Sequence, residues 1–425
     1  MMKFINRQVG QIKQGGSTVL LIKINLLLAK LSRLPLYIVA IPVVLIGRSI
    51  KPWFLFRVGI LRSTRIGHFA ANTEIYLCER DVGINVPNQR YIDIFCFAYG
   101  PVCNLQLALM WKRLLCIWPS FIIAPIVIVN RLIPGGISHE VGGNTADAVD
   151  VHNLLDRLPP HLQFTAEEEE RGIAGLLAMG LPVGAKFVCL NVRDSAYLDA
   201  PIWEIHNYRD SNVKNYLLAA EAIAERGYFV VRMGAKVHEP INSTHTMVID
   251  YATNGMRSDF MDIYLGSKCV FCISTATGWD NIPACIFRRP TCYVNSCPVG
   301  YQCTWFDKAI LLTKHHFDIN DNCNLNFNQI LTRGLGFISK TSDYSEKGIV
   351  LIENTPEEIR DVAIEMEQRL NETWQPVVGD ETLQKRFREI YLSGALDAFQ
   401  GIPTHGEIHA RYSTTYLRNN EYWLE

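Results

Sequence analysis

Four apolar runs of strand length lie between residues 186 and 295, three of them joined to the next through a loop and a helix-length stretch. That alternation restricts the second half of the chain to a parallel sheet with crossover helices. The strands are expected at 186–192, 228–232, 269–274 and 291–295. Between them, a helix from Ser211 to 226 carries apolar residues at Val213, Leu217, Ala220, Ile223 and Ala224, and Gly227 stops it. Further helices are expected at 258–265 and 278–287. The first half repeats the pattern less clearly, with strands at 53–61 and 91–98, helices after His68 and at 104–115, and an apolar segment at 121–133. Thr165 with Glu168, and Thr355 with Pro356 and Glu358, read as capping boxes that open later helices. The expected organisation is an α/β chain of two doubly wound domains, 53–182 and 183–350, with a leading segment 1–52 and closing helices in 351–425 that partly cross back to the first domain.

The leading segment differs in charge from the rest. Residues 1–73 contain eleven Lys and Arg and no Asp or Glu, whereas the remaining 352 residues carry 30 bases and 42 acids. Basic residues interleaved with Leu, Ile, Val, Trp and Phe suit an anionic membrane surface, where apolar groups insert and cations meet headgroups. A nucleic-acid arm would be more polar, so no nucleic-acid partner is expected. The apolar stretch 17–31 is interrupted by Lys23, Asn25 and Lys30, and 34–46 contains Pro35 and Pro42. A spanning helix needs about 20 apolar residues, so an interfacial or re-entrant helix is the better expectation. The chain is thus expected at the cytoplasmic face of the inner membrane, peripheral or monotopic.

Twelve cysteines are scattered, most inside apolar runs, where Cys behaves as a small hydrophobe. Cys269 and Cys272 are spaced as a knuckle, but they fall within a strand and no second pair follows. A reduced compartment fits this usage. There is no Gly-x-x-x-x-Gly-Lys-Ser/Thr loop and no Gly-x-Gly-x-x-Gly, which argues against a P-loop nucleotidase and a dehydrogenase. No Asp-x-Asp is present either, so neither a metal nor another cofactor is expected.

Ligands of open parallel sheets bind beyond the carboxyl ends of the strands, which directs attention to the residues that follow each strand. These are Arg193 and Asp194, then Arg232 with Gly234, then Ser274-Thr275-Ala-Thr277-Gly278-Trp-Asp280-Asn281. The last run offers hydroxyls and backbone N–H groups at a helix start, a natural anion site, although Ser274 and Thr277 could equally only cap the helix and Asp280 only favour its dipole. Arg193 and Arg232 can add bidentate contacts to a diphosphate, and Asp280 can accept sugar or ribose hydroxyls. The loop His206-Asn-Tyr-Arg209-Asp-Ser211 is expected at the same sheet edge. In the first half, Arg65-Ile-Gly67-His68 lies between strand and helix. His68 can take a proton from an acceptor hydroxyl, steer a diphosphate, or be an ordinary loop residue; Glu140 is the second candidate base.

Arg65-Ile-Gly-His68, Asn104-Leu-Gln-Leu, Met110-Trp-Lys-Arg113, Leu190-Asn-Val-Arg-Asp-Ser195, Tyr208-Arg-Asp-Ser211, the run 228–234 and Ser274–Asn281 with Pro290 together resemble a family of bacterial glycosyltransferases. That family has the GT-B fold and is associated with surface-polysaccharide gene sets. The likeness runs from about 54 to 374. It implies two Rossmann-like domains facing a cleft, a nucleotide-sugar held by the second, and a glycan acceptor, lipid-linked in keeping with the basic N-terminus, received by the first. More distantly, Asn191-Val-Arg193 is similar to the phosphate-contacting arginine loop of GT-B fucosyltransferases, which implies a donor-phosphate contact for Arg193. Asp194 stands where that pattern has a second basic residue, a departure that counts against GDP-fucose. The same fold would also serve a non-catalytic subunit of a glycan-assembly complex, or a two-domain nucleotide-sugar epimerase.

Overall fold

The computed structural model describes residue 24 and residues 34–141, 148–197, 201–398 and 406–425. It separates into two compact units, each assembled from several chain segments. The first comprises Met1–Arg62, Val86–Gly100 and Leu115–Gly142; the second comprises Ser63–Asn85, Pro101–Leu114 and Gly143–Glu425. This division does not follow the chain-order boundaries expected at 52, 182 and 350, and the late helices fall in the second unit.

In the first unit, β1 (Leu55–Leu61) and β2 (Tyr91–Phe97) pair in parallel over seven residues. Their facing residues Arg57 and Asp93 form a two-bonded ion pair, both contacts 2.6 Å and largely buried. The sheet has two strands among the described residues, extended by parallel bridges Val58↔Glu140 and Phe95↔Ile117, where a full doubly wound sheet was expected. The helix Ser120–Leu132, seen in the sequence as an apolar run, covers this pair through Ile123, Ala124 and Val127. The helix Leu34–Ser49 lies on it through a narrow stripe, Ala40 and Val44. Arg48 closes the contact by donating to the carbonyls of Asn130, Ile133 and Pro134 at 2.7–2.9 Å, which satisfies the carboxyl end of the neighbouring helix. Residues 1–33, apart from Ile24, lie outside the described residues. Among the described residues no helix is long and apolar enough to cross a membrane.

Among the described residues, the second unit is built on seven parallel strands. In chain order they are β3 (Phe187–Asn191), β4 (Phe229–Met233), β5 (Val248–Ile249), β6 (Cys272–Ser274), β7 (Thr291–Ser296), β8 (Ala309–Thr313) and, after the small antiparallel ladder of β9 (His315–Asp318), β10 (Cys323–Asn324) and β11 (Ile349–Ile352), β12 (Arg411–Tyr412). Spatially they run β12-β8-β7-β6-β3-β4-β5. Every residue of β3 is buried because both faces of the sheet are covered. Val188 and Leu190 join one core with Ala220 and Ile223 of the helix Leu217–Glu225 and with Val362 of the helix Pro356–Leu370. Phe187 and Cys189, pointing the other way, join a second core with Phe260 and Tyr264 of the helix Asp259–Lys268. Both capping boxes form as read from the sequence. Ser211 does not open its helix: Asn212 caps a 3₁₀ turn, Val213–Tyr216, that leads into it.

Candidate functional site

The chain enters the large sheet at β3, builds outward through β4 and β5, then returns to the other side of β3 with β6. The strand order therefore reverses between β3 and β6, the place where an open parallel sheet leaves a crevice. The loops leaving these two strands are stitched together. Thr275 N donates to Asn191 O at 3.2 Å, Arg193 N donates to Thr275 Oγ1 at 2.9 Å, and Asn191 Nδ2 donates to Thr277 Oγ1 at 2.5 Å. The start of the helix Ile66–Asp81 comes against the second loop. A Cβ added to Gly67 would lie 2.8 Å from Gly278 Cα, so only glycine permits the approach.

A cavity of about 1660 Å³ opens at this crevice. One part of its wall is cationic. Arg65, Arg193, His206 and Arg209 all line it. Arg193 Nε pairs with Asp210 Oδ1 at 3.0 Å, and Arg209 donates through Nη2 to Ala276 O while its buried Nε has no partner among the described residues. Burial and then Arg209 lower the Arg193 pKa. Burial, then Arg209 and Arg193, lower that of His206, which favours the neutral imidazole. Arg193 and Arg209 repel one another at close quarters with Asp210 as counter-charge, and a bound anion would relieve the repulsion. Elsewhere on the wall, Arg257 holds Asp262 at 2.6 Å, and burial pushes the Asp262 carboxyl up to about 6.

Of the residues singled out in the sequence, His68, Arg193, Asp194, Arg209, Thr277, Gly278, Asp280 and Asn281 line the cavity. Asp194 organises its own loops, accepting from Ala196 N and His238 N at 2.9 Å each. Asp280 is 2% exposed and turned into the loop, where it accepts from Ser274 Oγ at 2.7 Å and Thr277 N at 2.6 Å. Burial pushes its pKa up to about 7. Ser274 and Thr275 are buried behind the loop rather than in the wall. Arg232 is not in the wall either: it is fully buried and pairs with Asp250 at 3.3 Å, because its side chain leaves β4 into the packed interior. Glu140 belongs to the first unit, where it pairs with Arg131 at 3.0 Å. His68 Nδ1 lies 3.2 Å from Asn72 Oδ1, one turn along the helix. The helix expected at 278–287 is instead a 3₁₀ turn, Trp279–Asn281, followed by the π turn Ile282–Ile286. So short an element supplies little dipole, and the positive potential comes mainly from arginine side chains.

The cavity also draws on residues that the sequence reading passed over. Lys236 follows β4 and Gly234, so the strand-end rule reaches it. Tyr197, Arg257 and Tyr301 come from loops and turns with no sequence signal of their own.

No protein-family model matches the chain, and no curated protein does. Among solved structures, similarity is found to the ADP-heptose lipopolysaccharide heptosyltransferase II of Escherichia coli, with 14% identity, 60% of this chain and 90% of that one covered, and a TM-score of 0.37. A glycosyl transferase family 9 structure from Veillonella parvula gives 12% identity, 75% and 97% coverage and a TM-score of 0.40. An E. coli heptosyltransferase with ADP-2-deoxy-2-fluoro heptose gives 11%, 61% and 93%, and 0.32. TM-scores of this size carry no inference about fold or activity.

Proposed function

We propose that the chain is a glycosyltransferase of GT-B type that moves a sugar from a nucleotide-sugar to a glycan acceptor. The observation that carries the reading is the gathering of Arg65, Arg193, His206 and Arg209 in one cavity at the β3/β6 crevice, where a diphosphate is the complementary ligand. In this account Arg193 and Arg209 grip the donor's phosphates, and the Thr277–Gly278 turn brings backbone close to them. As the sugar–phosphate bond lengthens, negative charge builds on the leaving diphosphate, and fixed cations already in place stabilise it without reorganising. His68 removes the acceptor hydroxyl's proton, with Asn72 orienting the ring. No metal ion has a part in this scheme, since the arginines take the phosphate charge.

The acceptor is taken to be lipid-linked and the site of action the cytoplasmic face of a bacterial inner membrane, in the assembly of a cell-surface polysaccharide. Support comes from the helix Leu34–Ser49. Its sequence holds no charge before Arg48, yet Ile38, Val39 and Ile46 are each more than 60% exposed. An apolar face of that extent, on a helix whose described residues are too few to span, suits the interface of an anionic bilayer, with the acid-free N-terminal stretch meeting the headgroups.

The test is sugar transfer by membrane fractions supplied with a panel of nucleotide-sugars. Transfer is expected with wild type and lost in Arg193→Ala at equal protein level. Donor turnover without any acceptor would instead indicate an epimerase, and full activity in Arg193→Ala would remove the site assignment.

A further inference from the structure

Away from the cavity wall, Glu74 and Cys78 stand one turn apart on the same side of the helix Ile66–Asp81, and His161 meets them from the segment ahead of the helix Ala166–Ala178. The donor atoms of the three all lie within 4.8 Å of one another, and none of the three lines the cavity. We propose that Glu74, Cys78 and His161 bind a zinc-type divalent cation that fastens this helix to the following part of the second unit.

Four features support the assignment. Carboxylate, thiolate and imidazole together are a zinc donor set, and three protein ligands leave one position for a further group. Glu74 is completely buried, and its Oε2 has no hydrogen-bond partner among the described residues, although a buried carboxylate oxygen without one is costly. The interactions of this carboxylate crowd onto its other oxygen: Oε1 receives Arg288 Nη2 at 2.7 Å and lies 3.0 Å from His161 Nδ1. The remaining ring nitrogen, His161 Nε2, lies 2.9 Å from Asp81 Oδ2, the kind of outer carboxylate that orients a metal-bound histidine and fixes its tautomer.

The test uses the full-length chain, purified without chelator, assayed for zinc and then, after stripping, titrated with Co²⁺. One equivalent of zinc, or of Co²⁺ with a near-ultraviolet thiolate-to-cobalt band, is the expected result. Cys78→Ser should abolish the band and His161→Gln should weaken binding at least tenfold, while Cys323→Ser, an exposed cysteine, leaves both unchanged. Absence of a cobalt band in folded wild type overturns the proposal without recourse to any variant, as does a band that survives in Cys78→Ser. Nucleotide-sugar binding is a separate readout, so this site and the transferase reading fail independently.

Discussion

Arg193 is fastened to Thr275: its backbone N–H donates to the threonine Oγ1 at 2.9 Å, which locks the loop after β3 to the loop after β6. Thr275 is buried and does not line the cavity, so it acts by setting the position of Arg193. Thr275→Val removes the acceptor and leaves the N–H without a partner, at a cost of roughly 1–3 kcal/mol. Denaturant unfolding should register that loss, nucleoside-diphosphate binding should weaken with it, and Thr275→Ser should restore both.

Gly67→Ala and Gly47→Ala should move in opposite directions. At Gly67 the new Cβ meets backbone, Gly278 Cα at 2.8 Å, which cannot move aside as a side-chain tip would, and overpacking of this kind costs about 1–3 kcal/mol. At Gly47, inside the helix Leu34–Ser49, nothing among the described residues lies within 4 Å, and alanine should stabilise by about 0.5–1 kcal/mol. Paired melting temperatures of the two variants check the contrast.

Asp280 should make stability depend on acidity. Its folded pKa is raised from 3.8 to about 7, mainly by burial, so the folded state holds the proton more tightly than the unfolded chain does. Stability from this group is therefore fully present below about pH 4 and is lost as pH rises through about 7, by at most about 4 kcal/mol. Asp262, raised to about 6, acts in the same sense. Unfolding free energies of wild type and Asp280→Asn between these limits should show a shallower fall in the variant.

Membrane attachment should depend on the exposed face of the helix Leu34–Ser49. Val39→Glu with Ile46→Glu places acids where apolar groups would meet lipid, and co-sedimentation with anionic vesicles should drop at least tenfold. Added salt should weaken wild-type binding partially, leaving the apolar share.

The strands β3, β4, β6 and β7 were legible because their runs are short, mainly apolar and separated by helix-length stretches, whereas β5 and β12, two residues each, are too short to leave a pattern. The reach of Arg193 to the cavity followed from its place after β3. Arg232 shows where that rule stops: it lies within β4, so alternation along the strand decides its direction, and here it points into packed interior. Asp280 was legible as a residue of a helix's first turn but not in its role, because Ser274 and the Thr277 amide capture its carboxylate through contacts that spacing alone does not reveal. The grouping of His206 and Arg209 with Arg65 depends on folding two distant segments against one crevice, and pairwise closeness of that kind leaves no periodic trace.

The central claim, that the arginine-lined crevice grips a diphosphate, is tested most directly by calorimetric titration with a panel of nucleoside diphosphates. At least one should bind wild type, and at 100 times its dissociation constant it should stabilise the fold by about 2.7 kcal/mol. Arg193→Ala and Arg209→Ala should each reduce that affinity at least tenfold while remaining folded. No binding by any member of the panel, or equal binding by wild type and both variants, would contradict the account.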